Sequence, residues 1–267
     1  MSAELTRRGF LDHRRALVGW CLGVIGYAAL VASIFPSIKG SADFNKLIEQ
    51  YPDALKSLFG IGQGGDITSG AGFLDAELFS LMIPLFVLVL AIGSGARTFA
   101  GEEEAGRLEL VLSYPLRRRD AVIEKGIALC GEVLVVCVVG FLTLLVLNQA
   151  VSLDLETGKV AGAMGGVAAL GLLYGWLALA VGAAFPSKVL AIAVPAGYAA
   201  AAYLVSGLHS LAGWLDPLRF LSPFWLVGSS PLQNGTDGWG VLVVLAAAAM
   251  ALGAGSALVE RRDLQGP

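Results

Sequence analysis

The highest density of charged side chains lies in the segment Gly101–Asp120, GEEEAGRLELVLSYPLRRRD. Three carboxylates, Glu102–Glu104, stand near its start, and three arginines, Arg117–Arg119, stand near its end. Acidic residues favour the start of a helix because of the helix dipole, and Tyr114–Pro115 ends that helix. Apolar side chains share one helical face at positions i, i+3, i+4 and i+8: Leu108, Val111, Leu112 and Leu116. The pattern predicts a short amphipathic helix whose chemistry is electrostatic docking.

Two surfaces could receive this helix. An anionic membrane leaflet attracts the arginines and accepts the leucines, but it repels the three carboxylates. A protein partner explains both the acidic start and the basic end. The composition therefore favours a protein that docks on this segment.

Side chains that could catalyse a reaction or hold a metal ion do not cluster. We find no phosphate-binding G-x-x-x-x-G-K-[ST] loop, no H-E-x-x-H and no G-x-S-x-G. The cysteines and histidines are scattered, at Cys21, Cys130, Cys137, His13 and His209, without metal-ligand spacing. We therefore expect no enzyme activity, metal or cofactor in this chain, and expect the cysteines to act as small buried apolar residues. Any energy it uses must come from a partner or an ion gradient.

The composition of the whole chain limits the classes of protein to which this segment can belong. Of the 267 residues, 56% are apolar and 15% charged, and the mean hydropathy is +0.75. In soluble domains, about 45–50% of the residues are apolar and about 25% are charged on average. The net charge of −3 provides no basic field for nucleic acid. A soluble enzyme, a nucleic-acid-binding protein and a disordered regulator are thus excluded.

The apolar residues form six continuous stretches, each near the roughly 20 residues that span a bilayer. They cover about 16–35, 78–99, 121–147, 161–185, 189–208 and 238–259, and we call them spans 1 to 6. They do not alternate with period two, so a β-barrel is excluded. The predicted fold class is an all-α integral membrane protein with six transmembrane helices.

The basic residues predict the orientation of these spans. With six spans both termini lie on one side, and 13 of the 18 Lys and Arg residues fall there. The five on the other side are Lys39, Lys46, Lys56, Lys159 and Arg219. Because cytoplasmic loops carry the excess of Lys and Arg, both termini are predicted to be cytosolic.

The predicted outer loops are unequal. Segment Asp43–Phe59 has helical apolar spacing interrupted by Pro52, which predicts two short amphipathic helices, and glycine-rich Gly60–Gly72 predicts a flexible connector. The loop His209–Asp237 is rich in Trp, Phe and Leu, so it should sit at the membrane interface or dip into it, as an anchor or a substrate gate.

Few polar groups are predicted inside the spans. Glu132 lies well within span 3 and could be paired with Arg97 or water, or serve a transport pathway. Tyr198 and Tyr203, with Tyr174 and Trp176, could line such a pathway or simply pack. Pro84 and Pro195 could act as hinges or as packed kinks. Three Gly-x-x-x-Gly pairs predict close helix packing: Gly19/Gly23, Gly162/Gly166 and Gly171/Gly175.

The motif Gly-Glu-Glu-Glu-x-Gly-x-Leu-Glu-Leu-x-Leu-Ser-x-Pro-Leu-x-Arg, residues 101–118, resembles the signature loop of type-2 ABC (ATP-binding cassette) export permeases. LTRRGFLDHRRALVGW (5–20) resembles the amphipathic elbow helix of that family. YPDALKSLFG (51–60) and LSPFWL (221–226) also resemble recurrent family stretches. The resemblance covers essentially the whole chain and implies a single transmembrane permease domain over 1–267.

The resemblance also implies partners and a mechanism. Residues 101–118 would be the coupling helix between spans 2 and 3, where a separate ATPase subunit docks; its expected contact residues are Glu102, Glu103, Glu104, Gly106, Leu108, Glu109, Pro115 and Arg117. Two ATPase copies would hold ATP and Mg, and a second permease, identical or different, would complete the complex in a bacterial inner membrane. Such a complex exports lipophilic or amphipathic cargo by alternating access.

Two other functions remain open from the residues. A carrier driven by an ion gradient needs intramembrane acids or broken helices, for which Glu132, Pro84 and Pro195 are the candidates. A membrane scaffold that transports nothing requires no such groups.

Overall fold

A computed structural model of the chain describes residues 14–39, 50–58, 67–101 and 118–261. Within these ranges the secondary structure is helical, and six helices are long and apolar enough to cross a membrane. The predicted all-α fold with six spans is therefore confirmed. The predicted elbow helix lies mostly in residues 1–13, outside the described ranges.

The six spans have longer bounds than the hydropathy pattern predicts. They are span 1, Arg14–Ile38; span 2, Gly70–Thr98; span 3, Arg118–Val151; span 4, Thr157–Ala184; span 5, Lys188–Leu208; and span 6, Gly238–Arg261. Polar residues at the helix ends account for the difference, because they continue the backbone hydrogen bonds without adding to an apolar window.

Span 2 differs most from the prediction because its start is glycine-rich. It begins with the helical turn Gly70–Leu74, in which Ser69 caps the backbone N–H of Gly72 at 3.1 Å. A π-helical turn, Asp75–Phe79, and the helix Met82–Thr98 follow. The prediction of a flexible connector is thus wrong for its last residues. Gly70 is needed there because a Cβ would overlap the backbone carbonyl of Leu153.

Span 4 forms the centre of the bundle. In its most apolar window 78% of the residues are buried, against 17% in span 6. It contacts spans 2, 3, 5 and 6. The pair Gly171/Gly175 allows these contacts, since a Cβ at Gly171 would lie 2.6 Å from Val87 and one at Gly175 would lie 3.0 Å from Ala91.

The other two glycine pairs do not bring spans together. A Cβ at Gly19 or Gly23 would meet no atom of the described residues within 4 Å. A Cβ at Gly166 would overlap Val227 of the short helix Pro223–Val227, and one at Gly162 would lie 3.0 Å from Thr236. The expectation of close helix packing is therefore confirmed for Gly171/Gly175 between spans and for Gly166 against this short helix, whereas the pair on span 1 makes no such contact within the described ranges.

Short helices gather at one end of the bundle, which we call the loop-rich end. One is Asp53–Leu58, which confirms the second predicted amphipathic helix; the first falls mainly on 43–49, outside the described residues. The others are the 3₁₀ helix Asp216–Leu221 and the helices Pro223–Val227 and Pro231–Asn234. These three belong to residues 209–237, which we call the cap segment.

Candidate functional site

The cap segment turns back along span 5. The hydroxyl of Tyr198 donates to the carbonyl of Leu221 at 2.8 Å, and that of Ser222 donates to the carbonyl of Ala202 at 2.7 Å. Tyr198 lies ten residues before Leu208, where span 5 ends, which corresponds to about 15 Å of helix rise. The segment therefore dips alongside the spans, as one of the two predicted arrangements requires.

An aromatic cluster joins the cap segment to spans 4 and 5. The ring of Tyr174 lies 5.5 Å from Tyr198 and 6.0 Å from Phe224, and Tyr203 lies 5.7 Å from Phe224. Tyr174 is fully buried, whereas Tyr198 is 39% exposed. Tyr203 also donates to the carbonyl of Leu58 at 3.0 Å. Two predicted pathway residues, Tyr198 and Tyr203, thus pack against the cap segment; the hydroxyl of Tyr198 holds its backbone, and that of Tyr203 holds the end of the helix Asp53–Leu58.

Asp75 ties the cap segment to span 2, and the sequence analysis missed it. Its side chain is only 2% exposed, and its two carboxylate oxygens accept the backbone N–H groups of Leu232 and Gln233, each at 3.0 Å. These are unpaired donors at the start of the helix Pro231–Asn234. The available signal was an acidic residue within the apolar run FLDAELFSL, which the glycine-rich context placed in a loop.

Glu132, the third predicted pathway residue, lies toward the opposite end of the bundle. It is 5% exposed and accepts a hydrogen bond from the Ser94 hydroxyl at 2.6 Å. Ser94 is four residues from the end of span 2 and was not among the expected partners. Arg97 was an expected partner, but its Nε donates to the carbonyl of Gly93 on its own helix. Glu132 therefore joins span 3 to span 2.

A second bond joins the same two spans. The ammonium group of Lys125 donates to the carbonyl of Thr98 at 2.7 Å and lies 5.0 Å from the centre of the Phe99 ring. Spans 2 and 3 are therefore fixed to each other where the segment 102–117 connects them. The predicted docking residues Glu102, Glu103, Glu104, Gly106, Leu108, Glu109, Pro115 and Arg117 all lie in that segment, outside the described residues.

We expect the charge and the hydrogen-bond acceptor of Glu132 to be separable. Glu132→Gln should melt near the wild-type temperature, because an amide oxygen still accepts from Ser94. Glu132→Leu should lower the free energy of unfolding by about 1 kcal/mol, because it leaves the buried hydroxyl of Ser94 without its partner. Thermal melts in detergent measure both, with Ser33→Ala as control because the Ser33 hydroxyl is exposed and bonds its own helix. If Glu132→Leu and the wild type melt at the same temperature, the bond between Glu132 and Ser94 does not stabilise the fold.

Within the described ranges, no group of three or more His, Cys, Asp and Glu side chains is placed to hold a metal ion, and the three cysteines are free. Pro84 is the third residue of the helix Met82–Thr98, where its missing N–H breaks no helical bond. Pro195 is buried inside span 5. The polar side chains described above join helices to one another.

Six apolar spans and a cap segment that lies alongside them define a multi-pass α-helical membrane protein. Residues 10–259 match the family described as multidrug efflux system permease Rv1217c, C-terminal domain, and the chain belongs to that family. A comparison with curated proteins finds no match. The chain is thus a permease of a multidrug efflux family.

Proposed function

We propose that this permease is the membrane subunit of an ATP-driven ABC exporter. It would move lipophilic or amphipathic cargo out of the cytosol across a bacterial inner membrane. Two ATPase subunits would bind ATP and Mg and dock on residues 102–117, and a second permease copy, identical or different, would complete the pathway. The chain itself would have no catalytic role and bind no cofactor.

The observation that carries this proposal is the continuity of span 2 between the docking segment and the cap segment. At one end span 2 is joined to span 3 through Ser94 and Glu132, next to residues 102–117. At its other end Asp75 holds the cap segment. A push on the docking segment would therefore reach the cap segment through one span, in which residues 80–81 join the turns at 70–79 to the helix Met82–Thr98. The described polar groups offer no comparable chain of acids for a proton-driven carrier, because Glu132 is bound to a serine.

We expect the acidic start of the docking segment to be required for the complex. Replacing Glu102, Glu103 and Glu104 together by Ala should leave membrane insertion intact and abolish co-purification with an ATPase. The reason is that three adjacent charges supply the electrostatic part of a docking surface. The measurement is tag-based co-purification after co-expression with candidate ATPases, including any encoded next to this chain, followed by ATPase stimulation with lipophilic compounds.

A charge-matched control comes from the loop-rich end. Asp53, Asp154 and Glu156 have largely exposed side chains there, at 86%, 86% and 71%. Their joint replacement by Ala removes the same charge and should leave co-purification unchanged. If both triple variants bind the ATPase as wild type does, residues 102–104 are not the docking site. Transport that persists without any ATPase and collapses with the proton gradient would instead establish the gradient-driven carrier.

A further inference from the structure

A polar cavity opens at the loop-rich end inside this single chain. Its volume is about 690 Å³, within the range of small-molecule sites, and it lies between the helix Asp53–Leu58, the end of span 5 and the cap segment. Five serines line it, together with Trp225, His209, Lys56 and the carboxylates Asp53 and Asp237. The guanidinium of Arg219 lies 5.1 Å from the centre of the Trp225 ring, so the cavity offers mainly hydrogen-bonding and charged groups.

A narrow crevice with both polar and apolar walls lies beside the cavity, toward the bundle. The crevice holds about 50 Å³, enough for a few water-sized groups, and is lined deep inside by Pro84, Val167 and Leu170. Ser57, Ser206, Gly228 and Ser229 border both spaces, so the two are neighbours. The larger cavity is the one with room for a small molecule.

The charges around the cavity favour a cation. Each described Lys or Arg at this end has a carboxylate partner within 4.0 Å: Lys39 with Asp154, Lys56 with Asp53, Lys159 with Glu156, and Arg219 with Asp216. Asp237 has no basic partner among the described residues. Its Oδ1 accepts the backbone N–H of Trp239 at 3.1 Å, and within the described ranges no cation neutralises this carboxylate at the cavity wall.

We propose that this cavity binds an amphipathic organic cation, with Asp237 as the counter-charge. The inference deepens the proposed export function, on which it rests for the role of the ligand as cargo. It places a cargo site within one permease copy, against the cap segment that Asp75 ties to span 2. An anion of similar size is disfavoured, because Lys56, the described basic residue in the cavity lining, is already paired with Asp53.

The test uses the full chain in nanodiscs of uncharged lipid and the fluorescence anisotropy of two dyes, cationic rhodamine 6G and anionic fluorescein. We expect rhodamine 6G to bind and fluorescein not to bind. Asp237→Asn should weaken rhodamine binding about two- to fivefold, the size expected for a solvent-exposed ion pair. The loss should shrink as NaCl is raised. Asparagine can still cap span 6, so the variant should fold.

Two further variants make the result specific. Asp154→Asn removes one charge from the same end outside the cavity lining and should keep wild-type affinity. Ser210→Trp fills the cavity from an exposed position and should weaken binding independently of salt. Equal affinity of the Asp237 and Asp154 variants, or binding of fluorescein as tight as that of rhodamine, overturns the proposal. Co-purification with the ATPase from the same preparations is scored separately, so failure of the cation site and failure of the exporter assignment remain distinguishable.

Discussion

Asp75→Ala is expected to lower the free energy of unfolding by about 2–4 kcal/mol and to abolish transport. The variant leaves the buried backbone N–H of Leu232 and the partly buried backbone N–H of Gln233 without acceptors; a fully buried loss costs about 1–3 kcal/mol, and a partly buried one costs less. It also releases the cap segment from span 2, so that movement of the docking segment no longer reaches it. Thermal melting in detergent and limited proteolysis within residues 209–237 measure the two effects.

Two variants bracket this result. Asp75→Asn keeps one carbonyl acceptor and should lose about half as much stability, whereas Glu77→Ala changes an exposed side chain in the same π-helical turn and should melt like wild type. Asp75→Ala is compared directly with Glu77→Ala. If both variants melt at the same temperature and protease cleaves their cap segments at the same rate, the bond between span 2 and the cap segment does not stabilise the fold. Loss of transport with unchanged melting would point to a direct role in the pathway instead.

Gly95→Ala should destabilise the protein by about 1–3 kcal/mol although alanine is the better helix former. A Cβ at Gly95 would overlap the carbonyl of Gly175 and lie 3.1 Å from the Cβ of Ala178, so spans 2 and 4 would have to separate. Backbone of span 4 cannot move aside without disturbing the centre of the bundle. Gly95→Leu should give no monodisperse protein in fluorescence-detected size-exclusion chromatography.

The matched control is Gly165→Ala on span 4. No atom of the described residues lies within 4 Å of where a Cβ at position 165 would be, so the substitution should be neutral or stabilise the helix by up to about 1 kcal/mol. The two Gly→Ala changes are therefore expected to have opposite signs. Equal stabilisation at both positions would show that the close approach of spans 2 and 4 is absent in the membrane.

Span 2 makes three contacts on which the proposed mechanism depends. It carries the Gly95 crossing with span 4, the Ser94 bond to Glu132 and the Asp75 bond to the cap segment. The crossing and the bond to Glu132 stiffen the half next to residues 102–117. The π-helical turn and the start at Gly70 place Asp75 opposite the cap segment. One span therefore connects the proposed energy input with the segment that lines the proposed cation cavity.

The candidate site was predictable only in part. The acidic-to-basic docking segment stood out because unlike charges are rare in so apolar a chain, and it remains a prediction because residues 102–117 lie outside the described ranges. Glu132 stood out for the same reason, but Ser94 did not, since a serine in a span gives no signal of what it binds. Tyr198 and Tyr203 were proposed as lining residues, and their hydroxyls proved to hold backbone carbonyls of other segments.

The number of spans, their approximate positions and the absence of familiar catalytic motifs were determined by the sequence alone. Crossing a bilayer requires a run of about 20 apolar residues, which is a property of consecutive positions. Which polar groups pair is instead a property of positions brought together by folding: Asp75 and Leu232 are 157 residues apart. Gly95 and Gly165 are alike in the sequence, and only the crossing of spans 2 and 4 decides that one of them cannot be replaced.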